Sequence, residues 1–97
     1  MTDPEYLGEP DRPVLLPIED SIDLHTFSPK EAKPLVEEYL YQCQSRGMKE
    51  VRIIHGRGTG VLRQIVRSVL EKSCLVERFG DAPPERGGWG ATVVQLK

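Results

Sequence analysis

Two cysteines, Cys43 and Cys74, are all that the 97 residues contain, too few for a disulfide framework or a zinc cluster. No stretch approaches the roughly 18 consecutive apolar residues of a membrane helix. The start of the chain lacks the basic residues and apolar run of a signal peptide. These absences exclude a disulfide-stapled secreted scaffold and a membrane span, and leave the expectation of a soluble, cytoplasmic protein. An excess of positive charge is missing too, since 13 Lys and Arg stand against 15 Asp and Glu for a net −2. Nucleic-acid binders draw affinity from cations that displace counterions from phosphate. A reading of that kind must therefore rest on where the basic residues cluster.

The acids are unevenly spread. Residues 1–20 hold Pro4, Pro10, Pro13 and Pro17 among Asp3, Glu5, Glu9, Asp11, Glu19 and Asp20. Proline cannot donate to a ladder and like charges repel, so this segment reads as a flexible, extended acidic arm. Its short apolar run, Val14 to Leu16 with Ile18, suits an irregular strand docked on the domain. Residues 21–97 then carry 12 basic against 9 acidic residues, a net +3. They make one small domain, because a second core would need at least about 50 residues more.

Hydrophobic periodicity lays out the elements. Ile22-Asp23-Leu24-His25 alternates like a half-buried strand. Thr26-Phe27-Ser28-Pro29 then opens a helix, with Ser28 as N-cap, Pro29 first and Glu31 as reciprocal partner. Ala32, Leu35, Val36, Tyr39, Leu40 and Cys43 write its apolar face. Pro34 predicts a kink or an early 3₁₀ turn, and Arg46-Gly47 closes the helix. Val51 to His55 is a β-branched strand, followed by a glycine loop, Gly56-Arg57-Gly58-Thr59-Gly60. Leu62, Ile65, Val66, Val69 and Leu70 mark a second helix. Leu75–Phe79 reads as a strand, Gly80–Gly88 as a loop and Trp89–Leu96 as a last strand. The order βαβαββ predicts an α/β two-layer sandwich (α+β). Its first three strands run parallel by right-handed crossovers, the fourth is antiparallel, and both helices cover one face of a four-stranded mixed sheet.

Open α/β sheets bind ligands at the C-terminal edge of their parallel strands. That edge gathers Asp23, His25, His55, Arg57 and a glycine loop leading into a helix N-terminus, whose N–H groups suit phosphate. The loop is neither a dinucleotide fingerprint, since its third glycine comes one residue early, nor a Walker loop, since no Lys-Ser or Lys-Thr follows.

Ile22-Asp23-Leu24-His25, followed some thirty residues later by Val51 to Gly60 and closed by Gly88-Trp89-Gly90-Ala91-Thr92-Val93-Val94-Gln95-Leu96, resembles the Smr (small MutS-related) domain over residues 21–96. The resemblance implies a fold similar to the C-terminal domain of translation initiation factor three. It also implies a nucleic-acid partner, DNA or RNA, and endonuclease activity by nicking or RNA cleavage. Smr domains often close a MutS2 protein; the lack of ATPase and coiled-coil regions here gives the expectation of a stand-alone member. By the resemblance, Asp23 and His25 match an Asp-x-His motif linked with cleavage. His55, Gly56, Arg57, Gly58 and Gly60 match a His-Gly-x-Gly-x-Gly loop linked with nucleic-acid contact and activity. The family pattern has glycine where this sequence has Thr26, which adds a Cβ and a hydroxyl and bears on catalysis more than on fold.

Each residue also has a plainer role. Asp23 could simply bond the following turn, although an acid within an apolar strand needs some partner. One histidine alone would be structural more often than not; two at one edge favour proton transfer, one imidazole as base and the other as acid. For RNA the neighbouring 2′-hydroxyl would serve as nucleophile without a metal. For DNA a water must be activated, and Mg²⁺ on Asp23 would help, though no second carboxylate suggests a two-metal site. The loop glycines and Thr59 would contact phosphate, with Arg57 as clamp. Arg63 and Arg67 form either a solvated face or, with Arg57 and Arg52, a basic stripe. Trp89 would stack on a base or simply pack, and Cys43 and Cys74 read as buried small hydrophobes. The alternative to an endonuclease is a non-catalytic binding module of the same fold; a small-molecule or protein adaptor is a third reading.

Overall fold

A computed structural model describes residues 19–97; the arm expected over residues 1–20 lies almost wholly outside the described residues. The elements are β1 (Ser21–Asp23), α1 (Pro29–Ser45), β2 (Glu50–Ile54), α2 (Val61–Lys72), β3 (Val76–Asp81) and β4 (Ala91–Leu96), with 3₁₀ turns at Pro84–Arg86 and Gly88–Gly90. At the start of α1 the Glu31 carboxylate accepts from the Ser28 N–H (2.9 Å) and hydroxyl (3.2 Å), satisfying donors that a helix start leaves open. The helix continues as α-helix through Pro34 with no 3₁₀ turn. The carbonyl that Pro34 leaves unpaired belongs to Lys30, in the exposed first turn where water reaches it.

The sheet order is β1-β2-β4-β3. β1 and β2 pair in parallel, with Ile22 beside Ile53, and β4 is antiparallel to both β2 and β3. The first three strands thus share one direction, as the crossovers predict, but β3 is not a neighbour of β2. The chain leaving β2 skips one place through α2, and β4 returns into the gap.

Both helices pack on one face. Leu24 just beyond β1, with Val51, Ile53, Val94 and Leu96 from the sheet, meets Val36, Leu40, Cys43, Val66 and Leu70 from the helices in a single buried cluster. Truncating one of its large members, such as Leu40, to alanine would cost about 2–5 kcal/mol. Alternation sends Glu50 and Arg52 to the opposite face, where the β3–β4 connection folds back over them. Arg52 Nη1 donates to the Arg86 carbonyl at 2.9 Å, and Arg86 Nη1 reaches Glu50 at 3.2 Å.

This return path changes two expected boundaries. β3 runs on through Gly80 to Asp81, and Ala82 N–H extends the pairing to the Ala91 carbonyl at 3.0 Å. Trp89 lies in a 3₁₀ turn instead of starting the last strand. The turn carries the carbonyl of Gly90 to the end of β2, where it accepts from both His55 N–H (3.0 Å) and Gly56 N–H (2.9 Å).

Candidate nucleic-acid interface

The chain leaves β1 at Asp23, and that carboxylate shapes the turn into α1. Its Oδ1 accepts from the His25 backbone N–H at 3.0 Å and lies 2.5 Å from His25 Nδ1. An ionised carboxylate only accepts, so Nδ1 carries the proton of this bond. The backbone amide of His25, and then its ring, hold the Asp23 carboxyl below the usual carboxylate range. Both side chains are open to solvent, His25 at 59% exposure and Asp23 at 50%. His25 faces a cleft of about 550 Å³ that Phe27, His55, Arg63 and the Gly56–Gly60 loop also line.

His55 reaches the same cleft from different surroundings. It is only 4% exposed, with Nε2 2.9 Å from Thr92 Oγ1 and Nδ1 3.0 Å from the Gly56 carbonyl. Burial pushes its proton affinity below the ordinary imidazole value, against the Gly56 carbonyl, which raises it; Arg63 and Arg67 lower it further, and Asp81 raises it. The sequence sets the two histidines side by side as equals, whereas the structure exposes one and encloses the other. Alternation explains the difference: His55 follows Val51 and Ile53 onto the helix-covered face, while His25 follows the exposed Asp23.

The loop between β2 and α2 depends on glycine at two places. Gly56 has φ +79° and Gly60 φ +86°, a left-handed backbone that L side chains rarely adopt. Gly60 is the N-cap of α2 and offers no side chain; Thr59 Oγ1 partly substitutes, accepting from Val61 N–H at 3.4 Å. The next first-turn N–H groups, those of Leu62 and Arg63, have no helical acceptor and point toward the loop, an arrangement suited to an anion. Gly58 has open space around it.

Arg57 is exposed and lies across the Gly87–Gly90 turn, its Nη2 3.5 Å from the Gly87 carbonyl. A Cβ on Gly88 would come within 2.7 Å of that nitrogen, and one on Gly90 within 3.2 Å of Arg57 Cγ, so the tail glycines form the bed of this side chain. Arg63 bonds Asp81 at 2.7 Å and stacks 5.6 Å from the Trp89 ring centre. Arg67 reaches the same Asp81 oxygen at 3.5 Å and stacks over Phe79 at 5.1 Å. Arg63 above all, with Arg67, holds the Asp81 carboxyl below its usual range. Arg57 is therefore the least paired of the three cations. Arg52 does not join this edge, because its guanidinium is tied to Arg86 on the opposite face. Trp89 and Phe27 remain partly exposed, at 42% and 38%.

Thr26 takes an ordinary backbone conformation, since no non-glycine among the described residues has positive φ. Any effect of losing glycine there lies in close approach by a ligand and not in backbone strain. Cys43 is buried as expected, with burial pushing its thiol pKa up. Cys74 is instead exposed, because it falls in the turn after α2, beyond the apolar face. Among the described residues no three His, Cys, Asp or Glu side chains are grouped as metal ligands. No helix among them is long and apolar enough to cross a membrane.

Thr92, Asp81 and Phe27 are not residues that the sequence patterns single out. Thr92 alone left a trace, a hydroxyl at an inward position of an otherwise apolar strand.

Residues 22–97 match the Smr domain family. Endonuclease MutS2 of Thermus thermophilus is 40% identical over 93 residues, which is 93% of this chain and 12% of that protein. Endonuclease MutS2 of Carboxydothermus hydrogenoformans is 42% identical over 76 residues, 78% of this chain and 10% of its own length. The chain thus spans about a tenth of the length of these relatives. The crystal structure of the Smr domain of Thermus thermophilus MutS2 superposes with a TM-score of 0.77 at 42% identity, covering 79% of this chain and 96% of that one. YdaL, a stand-alone small MutS-related protein from Escherichia coli, gives a TM-score of 0.77 at 28% identity, covering 80% and 64%. With the two motifs, the βαβαββ order and these matches in agreement, the chain belongs to the Smr domain family.

Proposed function

We propose that this chain binds a nucleic-acid backbone at the loop edge and cuts a phosphodiester bond there, with His25 moving the proton and Asp23 orienting it. The observation that carries this reading is the Asp23–His25 pair. A carboxylate fixes one ring nitrogen, and the same ring lines the cleft that the Gly56–Gly60 loop also lines. Nε2 takes the proton from the attacking oxygen, a 2′-hydroxyl on RNA or a water on DNA, as that oxygen bonds phosphorus. The phosphorus–oxygen bond on the far side then breaks, and the leaving oxygen takes a proton from solvent. Meanwhile Arg57 and the Leu62 and Arg63 N–H groups hold the phosphate oxygens, and Trp89 offers an exposed face to a base. His55, with both ring nitrogens engaged, is assigned to holding the loop and not to proton transfer. The relatives' name, endonuclease MutS2, supports the reaction class. Free Cys43 and Cys74 suit a reducing, cytoplasmic setting.

The test uses purified protein on supercoiled plasmid and on a structured RNA, each with Mg²⁺ or with chelator. Cleavage of either that both His25→Ala and Asp23→Ala lose, by about 10²–10⁴-fold for His25, supports the proposal and names the polymer and metal requirement. Cleavage that survives in both variants overturns it. Binding without cleavage would make the chain a non-catalytic nucleic-acid module, with Thr26→Gly as the change to try next.

A further inference from the structure

We infer that Thr92 is a positioning residue for the loop: its hydroxyl donates to His55 Nε2 and so holds the ring whose Nδ1–H, set there by the accept-only Gly56 carbonyl, ties that carbonyl in place. The use of this loop for nucleic acid rests on the proposed function; the relay itself does not.

Gly56 O can only accept, so at 3.0 Å from His55 Nδ1 the proton sits on Nδ1. In a neutral ring Nε2 is then a bare acceptor, and the group 2.9 Å from it is the Thr92 hydroxyl, which must donate. The charged groups that face this ring are Arg63, Arg67 and Asp81. Two of the three are cations, and the site is buried, so a neutral imidazole is favoured. Thr92 is fully buried at 0% exposure, and the other inward positions of β4, Val94 and Leu96, are apolar. A valine would fill the same space with no donor, which makes the hydroxyl the feature that needs explaining.

Topology gives the relay its use. β4 lies between β2 and β3, with Thr92 opposite Ile53 and Asp81. Gly56 sits at φ +79° and has both backbone groups fixed from this one strand and the turn before it. Its N–H bonds the Gly90 carbonyl at 2.9 Å, and its carbonyl is held by Thr92 through His55. The last strand is thus the template on which the loop after β2 is set.

The chain has two histidines, so a long-range ¹H–¹⁵N spectrum resolves both rings, with His25→Ala assigning them. The expected spectrum shows His55 as the Nδ1–H tautomer in the unaltered protein. Thr92→Val moves the His55 Nε2 resonance toward that of an unbonded imidazole nitrogen, with the proton still on Nδ1, and speeds amide exchange at Gly56; Thr92→Ser restores both. Losing one such hydrogen bond weakens binding of a labelled oligonucleotide by about three- to tenfold in folded protein, again with rescue by serine. His55 found as Nε2–H in the unaltered protein, or Thr92→Val leaving the Nε2 resonance and Gly56 exchange unchanged, would overturn the relay. An altered Nε2 resonance with unchanged affinity would overturn its bearing on binding. Should the unaltered protein bind no oligonucleotide, the reading of the loop fails, while the Nε2 resonance and Gly56 exchange still decide the role of Thr92.

Discussion

Replacing Arg57 by alanine removes an exposed guanidinium whose hydrogen bond to the Gly87 carbonyl is 3.5 Å long. So weak a tie on the surface predicts a stability change within about 0.5 kcal/mol. The effect on binding is different in kind. Removing one cation from a phosphate lowers the slope of log affinity against log salt by about 0.9 on duplex DNA or about 0.7 on a single strand. Between about 50 and 200 mM salt, that makes the variant's affinity fall about threefold less steeply than that of the unaltered protein. Arg63→Ala is the contrasting change. It breaks the 2.7 Å bond to Asp81 and the stack on Trp89. Both partners of the ion pair are partly solvated, so the combined loss is about 1 kcal/mol once screening is allowed for. Fluorescence anisotropy across a salt series, paired with urea denaturation, separates the two. An Arg57→Ala protein with an unchanged salt slope would refute the clamp, and one that loses as much stability as Arg63→Ala would refute the inference from exposure.

Asp23→Asn keeps the shape of the turn but removes the charge that fixes His25 Nδ1; cleavage should fall at least about tenfold with binding retained, measured as initial rate against anisotropy. Trp89→Ala removes an exposed ring; a stacked base contributes about 1–3 kcal/mol, so affinity for single strands should fall at least about fivefold while duplex binding changes little, as competition titrations would show. His55 sets a pH dependence of stability. Its folded pKa lies below the ordinary 6.5, so above pH 6.5 both folded and unfolded chains are neutral there and its contribution is fully present. As pH falls below 6.5 the unfolded chain takes a proton that the folded chain refuses, and stability is lost down to the folded pKa. Urea midpoints between about pH 8 and pH 5 should decline over that window, and His55→Gln should flatten the decline.

The elements were legible because their signals are local. Ser28-Pro29 with Glu31, the spacing of Val36, Leu40 and Cys43, and the β-branched run at Val51 to Ile54 each act over one or two turns. Strand direction followed from connection length, but the insertion of β4 between β2 and β3 did not, since it depends on how the β3–β4 connection returns across the sheet, past Arg52 and Glu50. At the site, the motifs located Asp23, His25 and the loop. They could not show that His55 is enclosed and His25 open, because that follows from which face each strand turns to the helices. Nor could they show that Arg63 and Arg67 share Asp81, a residue from a strand that reads as a loop at that point, or that Cys74 lies outside the core.

Chemical rescue bears most directly on the central claim that His25 moves the proton. His25→Gly empties the ring's place beside Asp23 while leaving the loop edge intact. If His25 has that role, this variant binds nucleic acid as the unaltered protein does, has lost cleavage, and regains part of it when imidazole is added to the solution. Cleavage undiminished in His25→Gly, or cleavage lost with binding retained and no response to imidazole, would contradict the claim.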